Sequence, residues 1–538
     1  MTNLVYDNCG IYYNEVMADV PQNQDEKKVP QTAPQNGVNP PLQPPAATPP
    51  KGAESNVVFS GNPQSPIPSQ TAPVGDIPEE YLTDEDLYPV AQENPSLSAT
   101  AKKKGPLIAI AIGGIIVVLL LVIALGNILT KKNPSTEKIT LTYWGLWETQ
   151  QVMDEIIKPY QINHPNVTIT YTMMDAKDNY LQRLVERTKK GTGPDIFRFH
   201  NSWVPQIKQI LSVAPQTVLT PDEYQKTYYP VIVKDLNVGG SIVGVPLGID
   251  GIVLLYNDKI LKAAGYSNPP QDWETLLNMV QPGKGITVVD QEGKIATSGI
   301  ALGAAENVNH FSDIVALMFL QNGVSMKSFV GNQNAQSVLT TYTDAVVSPN
   351  KFWTEQMDAS LIAFAHEQVA MIFAPSWEIE VIRHMNPDLQ LGVARVPQIK
   401  GGQQKSLASY WAEGVSRTSA HQQAAWEFLK YLSEKDTLTK FYAAAVKSGR
   451  LFGYPYPRVD MAPLLLQDQY AGPIIADAPI MDSLPLCSST YDNGLNDKLI
   501  SYLKDTVNGV LNGSSVDNSL VTMDKGFTQV YQDYQITY

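Results

Sequence analysis

Residues 243–265 read VGVPLGIDGIVLLYNDKILKAAG, an apolar stretch that holds one carboxylate, Asp250, between Gly248 and Gly251. The apolar residues on either side read as strand, and the run closes in a short helix that stops at Gly265. Burying an unpaired carboxylate among hydrocarbon side chains is costly. Asp250 therefore needs either a partner or a solvent-filled cleft, and the rest of the chain has to supply it.

Working outward, the pattern on the N-terminal side is alternating α/β. ITLTYWGLW (139–147) reads as a strand running into a loop, TQQVMDEIIKPYQINHP (149–165) as an amphipathic helix, and VTITYTMM (167–174) as a second strand. A helix at 179–191 and a short strand, PDIFRFH (194–200), follow. This order predicts a parallel sheet with helices on its faces. Ligands of such sheets sit beyond the carboxyl ends of the strands, here Gly145–Glu148 and His200–Trp203. On the C-terminal side, residues 271–280, 310–323 and 419–445 have helical periodicity, and 369–375 and 389–397 read as strands. Two further helices are expected over 493–511 and 515–533. Residues 137–538, about 400 in all, suffice for roughly two domains.

The N-terminal part is of another kind. Residues 1–100 contain no Trp, no Arg and one Phe, and are crowded with Pro, Gln, Asn, Ser and Thr. Such a segment cannot bury enough apolar surface to offset its ordering entropy, so 1–104 is expected to be a disordered tail. Residues 1–100 hold 13 acidic residues against 3 lysines and account for most of the net charge of −14. The remainder has no basic patch of the kind that nucleic acid requires.

The run LIAIAIGGIIVVLLLVIAL (107–125) has no polar side chain. About 20 such residues cross a bilayer core as a helix. It lies far from the N-terminus and no small-residue cleavage site follows, so it reads as a permanent transmembrane helix. Three lysines precede it and two follow, which biases the N-terminal side towards the cytoplasm. The expected protein is single-pass in the cell membrane, with a cytoplasmic tail and an extracellular domain. Cys9 and Cys487 fall on opposite sides of the span and cannot pair within one chain. No Cys just after the apolar run offers a lipid site, so the helix itself is the tether.

Seven pieces of the outer part, in order, resemble the extracellular solute-binding proteins of bacterial ABC importers, and among them the family of maltose- and other sugar-binding proteins. They are ITLTYWGLWE, YQINHPNVTITY, GTGPDIFRFHNSWVPQI, the opening stretch with PPQDWETL, AFAHEQVAMIFAPSWEIEVI, LGVARVPQ with ASYWAEGVSRTSAHQQAAWEFLKYLS, and the neighbourhood of Gly449–Pro455. The resemblance implies an α/β, two-lobed, periplasmic-binding-protein-like fold (type II), with hinge strands that cross between lobes and solute bound in the cleft. The tail would then span 1–104, the transmembrane segment 105–130 and a linker 131–138. Lobe I would span 139–248, with about 412–448 returning to it, and lobe II 249–411, with about 449–538 returning. The long tail and the transmembrane helix depart from the family's freely secreted or lipid-anchored members.

On this resemblance Pro246–Gly251 is the first crossing strand, with further crossings near Ser409–Trp411 and Ser448–Arg450. Asp250 then faces the cleft, where sugar-binding members place an acid that accepts ligand hydroxyls. The other reading of Asp250 is a carboxylate that caps backbone amides at the hinge. A sugar offers hydroxyls to polar groups and a flat C–H face to aromatic rings. The candidate ligand-binding residues are therefore Trp147, Glu148, Asn201, Trp203, Asp250, Asn309, Trp377, Tyr410 and Trp411. Trp144 reads either as core or as site, whereas Trp273 and Trp426 fall on apolar helix faces and read as core.

Chemistry is hard to find. There is no HExxH run, no Gly-x-Ser-x-Gly elbow and no phosphate-cradling glycine loop. The six histidines show no metal-ligand spacing. No catalytic residue, metal or cofactor is expected. The function these features imply is capture of a small solute, a sugar, for the permease subunits of an ABC importer at the membrane. A reading of a different class is a solute sensor or scaffold that signals through the tail, where EEYLTDEDLYP (79–89) is an acidic–aromatic patch.

Overall fold

The computed structural model describes residues 137–536 apart from Asp178. The tail, the apolar run 107–125 and most of the linker lie outside the described residues. Among the described residues no helix is long and apolar enough to cross a membrane.

Strand β1 (Ile139–Leu146) begins with the two-residue alternation of a half-buried strand, Leu141 and Tyr143 turned inward and Thr140 and Thr142 outward. Thr149 then caps helix α1 (Gln150–Asn163), its side chain accepting the Val152 amide at 3.4 Å. α1 buries Val152, Met153, Ile156, Ile157 and Tyr160, the stripe of an amphipathic helix. Strand β2 (Val167–Met174) pairs parallel with β1, and after helix α2 (Tyr180–Lys189) strand β3 (Ile196–His200) pairs parallel on the other side of β1. All five residues of β3 are buried, as a central strand requires. β1 and β3 thus end together, which brings Trp147 and Asn201 to one edge.

After β4 (Val245–Pro246) the chain leaves this sheet for a second one. β5 (Ile252–Asn257) is its centre. Helices α3 (Phe311–Gln321) and α4 (Gln333–Val347) follow, then β6 (Met371–Pro375), α5 (Glu378–Met385) and β7 (Leu391–Ala394). β6 and β7 flank β5, both antiparallel. Beyond β8 (Ser406–Leu407) the chain returns as β9 (Trp411–Val415), antiparallel to both β3 and β4, so the first sheet has the order β2-β1-β3-β9-β4. Helices α6 (Gln422–Leu432) and α7 (Lys435–Lys447) pack on α1. β10 (Met481–Asp482) pairs with β8, and helices α8 (Leu495–Leu511) and α9 (Val516–Asp533) pack on α4.

Three segments pass between the sheets side by side. The Ile249 amide donates to Pro455 O at 2.9 Å, and the Ser409 amide donates to Asp250 O at 3.0 Å. Two glycines permit this approach. A Cβ on Gly248 would stand 2.7 Å from Tyr454 Cβ, and one on Gly251 only 2.2 Å from Leu407 O. The glycines beside Asp250 are thus spacers between crossing strands.

The structure departs from the sequence reading in three places. The third crossing makes its bond at Pro455, because Ser448–Arg450 is occupied by the end of α7 and a left-handed Gly449 (φ 108°). The stretch 419–445 is two helices, since Ser433 bonds back to Lys430 O at 2.6 Å and Glu434 is extended. α4 was not anticipated, although its cap (Asn332, accepting the Asn334 and Ala335 amides) and its buried Ala335, Val338, Leu339 and Tyr342 are the usual signals.

Candidate ligand-binding cleft

On the side of the first sheet, Trp147 follows β1 directly with φ 71°, so the backbone turns sharply and leaves the ring 39% exposed. It packs edge-on against Trp411 (centroids 5.8 Å, 72°) and tilted against Tyr491 (6.2 Å). Trp411, half-buried at the start of β9, rests edge-on against Trp203 (5.2 Å) and His200 (5.0 Å). Trp147 and Trp411 therefore come together as the reading placed them, and Tyr491 joins them unannounced. Trp144 lies apart, packed with Tyr180 and under the Arg187 guanidinium.

Five of the candidates are corrected by their surroundings. Trp203 is fully buried and serves as backing for Trp411. Glu148 is buried in an ion pair with Arg198 and accepts the Tyr454 hydroxyl. Arg198 in turn donates to Glu413 Oε1 at 2.7 Å and to Leu146 O at 2.9 Å. Burial disfavours the guanidinium charge, but the two carboxylates outweigh it and hold the Arg198 pKa above its ordinary value. Asn201 and Tyr410 are buried together. Asn201 Nδ2 and the Tyr410 hydroxyl both donate to Asp235 Oδ2 (2.9 and 3.1 Å), and the Tyr410 amide donates to Asn201 Oδ1 at 3.2 Å. Asn309 Oδ1 accepts the Ser360 hydroxyl and the Leu361 amide, holding the start of a short helix. These five side chains are committed to the scaffold.

On the side of the second sheet, Trp377 follows β6 with its ring 38% exposed. His310 lies edge-on to it (5.5 Å) and bonds Glu378 Oε1 through Nε2 at 2.8 Å. Asp250, half-buried, lies on the crossing from the first sheet to the second. Its Oδ1 accepts the Gly251 amide at 2.7 Å and the Ser376 amide at 3.4 Å. It thus pins β5 to the end of β6 at the crossing, as a carboxylate capping backbone amides does. Burial pushes its pKa up to about 6, against the pull of those hydrogen bonds and of the nearby Arg450 charge. Arg450 itself lies over the Tyr454 ring at 4.5 Å. The sequence reading missed Tyr491, His310, Arg450 and Tyr454. The exposed or half-buried rings of Trp147, Trp377, Trp411, Tyr454 and Tyr491, with one carboxylate and one guanidinium, suit a neutral, hydroxyl-bearing ligand with an apolar face.

The profile of the bacterial extracellular solute-binding protein family matches residues 155–450. The chain belongs to this family. A relative, the multiple sugar-binding protein of Streptococcus mutans, is 21% identical over 334 residues, 58% of this chain and 76% of its own. A cyclo/maltodextrin-binding protein complexed with maltotetraose superposes with a TM-score of 0.59 at 14% identity, covering 73% of this chain and 97% of that one. The sugar-binding protein MalE of Xanthomonas citri gives 0.59 at 17% identity, covering 74% and 98%. With these solved proteins the family member described here shares the two-lobed fold.

Two measurements test the scaffold. Arg198→Met leaves Glu148 and Glu413 buried without their cation, and should cost about 3–5 kcal/mol in thermal or denaturant unfolding; a change below 1 kcal/mol would show that water reaches the pair. The second concerns Asp250. Its raised pKa means that the folded state binds this proton more tightly than the unfolded one. Ionisation is therefore a penalty that enters between about pH 4 and pH 6 and is full above it. Asp250→Asn should match wild type near pH 4 and be more stable above pH 6, by up to about 3 kcal/mol. Equal stability at both pH values would place Asp250 in open solvent.

Proposed function

We propose that this protein captures a carbohydrate in the cleft between its lobes and delivers it to an ABC importer, while held at the outer face of the cell membrane by the apolar segment 107–125. One observation carries the carbohydrate reading. Of the eight tryptophans, only Trp147 and Trp377 are more than a third exposed, and they stand on the two sheets to either side of Asp250. Exposed apolar rings beside converging polar groups are the mark of a binding surface. The sugar-binding relatives named above agree with it. The permease partner rests on family membership, and the tether on the length and lysine flanks of the apolar run.

The reading is tested by calorimetric titration with oligosaccharides, maltotetraose among them. Asp250→Ala should lose a charge-assisted hydrogen bond, about 1.5–3 kcal/mol or ten- to a hundredfold in affinity. Trp377→Ala should weaken binding too, by removal of a stacking face. Wild-type affinity in both variants would assign Asp250 to the hinge alone. Topology is tested separately: protease added to intact cells should digest the outer domain and spare residues 1–100. A cleaved tail beside an intact domain would reverse the orientation. Ligand binding without any loss of sugar uptake on deletion of the gene would favour the sensor.

A further inference from the structure

Among the described residues, eight that are not glycine have positive φ, and six of them meet at one place: Trp147, Asn179, His310, Ser489, Tyr491 and Asn493. The Trp147 ring touches Tyr491, His310 Nδ1 bonds the Ser488 hydroxyl at 2.6 Å, and Asn493 Nδ2 donates to Asn179 Oδ1 at 3.4 Å. For a residue as bulky as Tyr491, a left-handed backbone (φ 55°) is held only by its surroundings. Strain of this kind collects at ligand clamps and switch regions.

The surroundings here are both lobes at once. At one end of the loop the Ser488 amide donates to Asp313 Oδ2 at 3.1 Å, on α3 of the second lobe. At the other end Asp492 accepts Gln182 Nε2 on its carbonyl at 3.2 Å and Gln206 Nε2 on Oδ2 at 2.7 Å, both from the first lobe. Asn496 Nδ2 adds a bond to Ser202 Oγ at 2.8 Å. Trp203 Nε1, Thr490 Oγ1 and Asn496 Oδ1, all buried around this loop, have no hydrogen-bond partner among the described residues. Such orphaned groups call for an explanation.

We propose that Tyr491 is a ligand-contacting residue of the cleft, carried on a clamp, Ser488–Asn493, that is fastened to both lobes and sets which ligands fit. Tyr491, tilted, and Trp411, edge-on, both pack against the exposed Trp147, so a ligand held on Trp147 has Tyr491 beside it. This inference rests on the carbohydrate reading above. Because the clamp bonds to Asp313 on α3 and to Gln182 and Gln206 of the first lobe, a ligand that displaces Tyr491 moves a link between lobes.

The test is calorimetry on the full chain in detergent, with a panel of maltotetraose, mannobiose, mannotriose and tagatose, on wild type, Tyr491→Ala, Tyr491→Phe, Trp377→Ala and Asp250→Ala. Tyr491→Ala should weaken the bound ligands about tenfold or more and change the ratio of affinities between them, while Tyr491→Phe, which keeps the ring, stays near wild type. Wild-type affinities and ratios in Tyr491→Ala, beside losses in Trp377→Ala and Asp250→Ala, overturn the clamp and leave the carbohydrate reading standing. A lowered melting temperature with one common loss for every ligand shows a structural role and likewise overturns it. If no member of the panel binds wild type, the carbohydrate reading falls and the clamp with it. Should Tyr491→Ala not fold, Tyr491→Leu is measured by the same criteria.

Discussion

The structure around the cleft depends on one buried cation. Arg198 sits in the centre of the central strand β3, and its guanidinium is shared among the end of β1 (Leu146 O), the first cleft loop (Glu148) and the returning strand (Glu413). Through Glu148 it also holds Tyr454 on the third crossing. Two carboxylates against one guanidinium leave the group short of positive charge, and burial raises the Glu413 pKa despite Arg198. Such an arrangement is no guarantee of stability, since an apolar core of the same volume can be as stable. What it supplies is position. The loop bearing Trp147 and two crossings are tied to a single point, so they cannot drift independently.

Above that floor the aromatic residues divide by exposure. Trp203 and His200 are buried and form the backing against which Trp411 stands. Trp147 and Trp377 keep more than a third of their surface in solvent. A protein that needed these rings only for folding would bury them, because each exposed apolar face forgoes about 25 cal/mol per Å². Their exposure is retained on opposite sheets, where motion about the hinge can bring two faces to one ligand. Asp250 and its flanking glycines mark a crossing between the sheets, with Gly248 and Gly251 allowing crossing strands to touch.

Much of this was legible in the chain. Local periodicity and caps revealed the first five elements, and the Gly-Ile-Asp-Gly run marked a crossing, because a carboxylate in an apolar strand has few places to be. Family membership follows from motifs in order; Trp147 lies past a strand end of the parallel pattern, whereas Trp377 and Trp411 rest on positions that the resemblance implies. Tertiary structure decided which of the candidates are available. Glu148, Asn201, Trp203, Asn309 and Tyr410 look like binding residues by type and position. Yet each is held by a partner distant in sequence, such as Arg198, Asp235 or Ser360. Tyr491 carried no signal and Arg450 only that of an expected crossing, since they come beside Trp147 and Asp250 only when the C-terminal segments fold back. Sequence determines local conformation and the sign of each side chain's preference for water. Which polar group finds a partner, and which ring is left facing the cleft, is set by contacts between residues hundreds of positions apart.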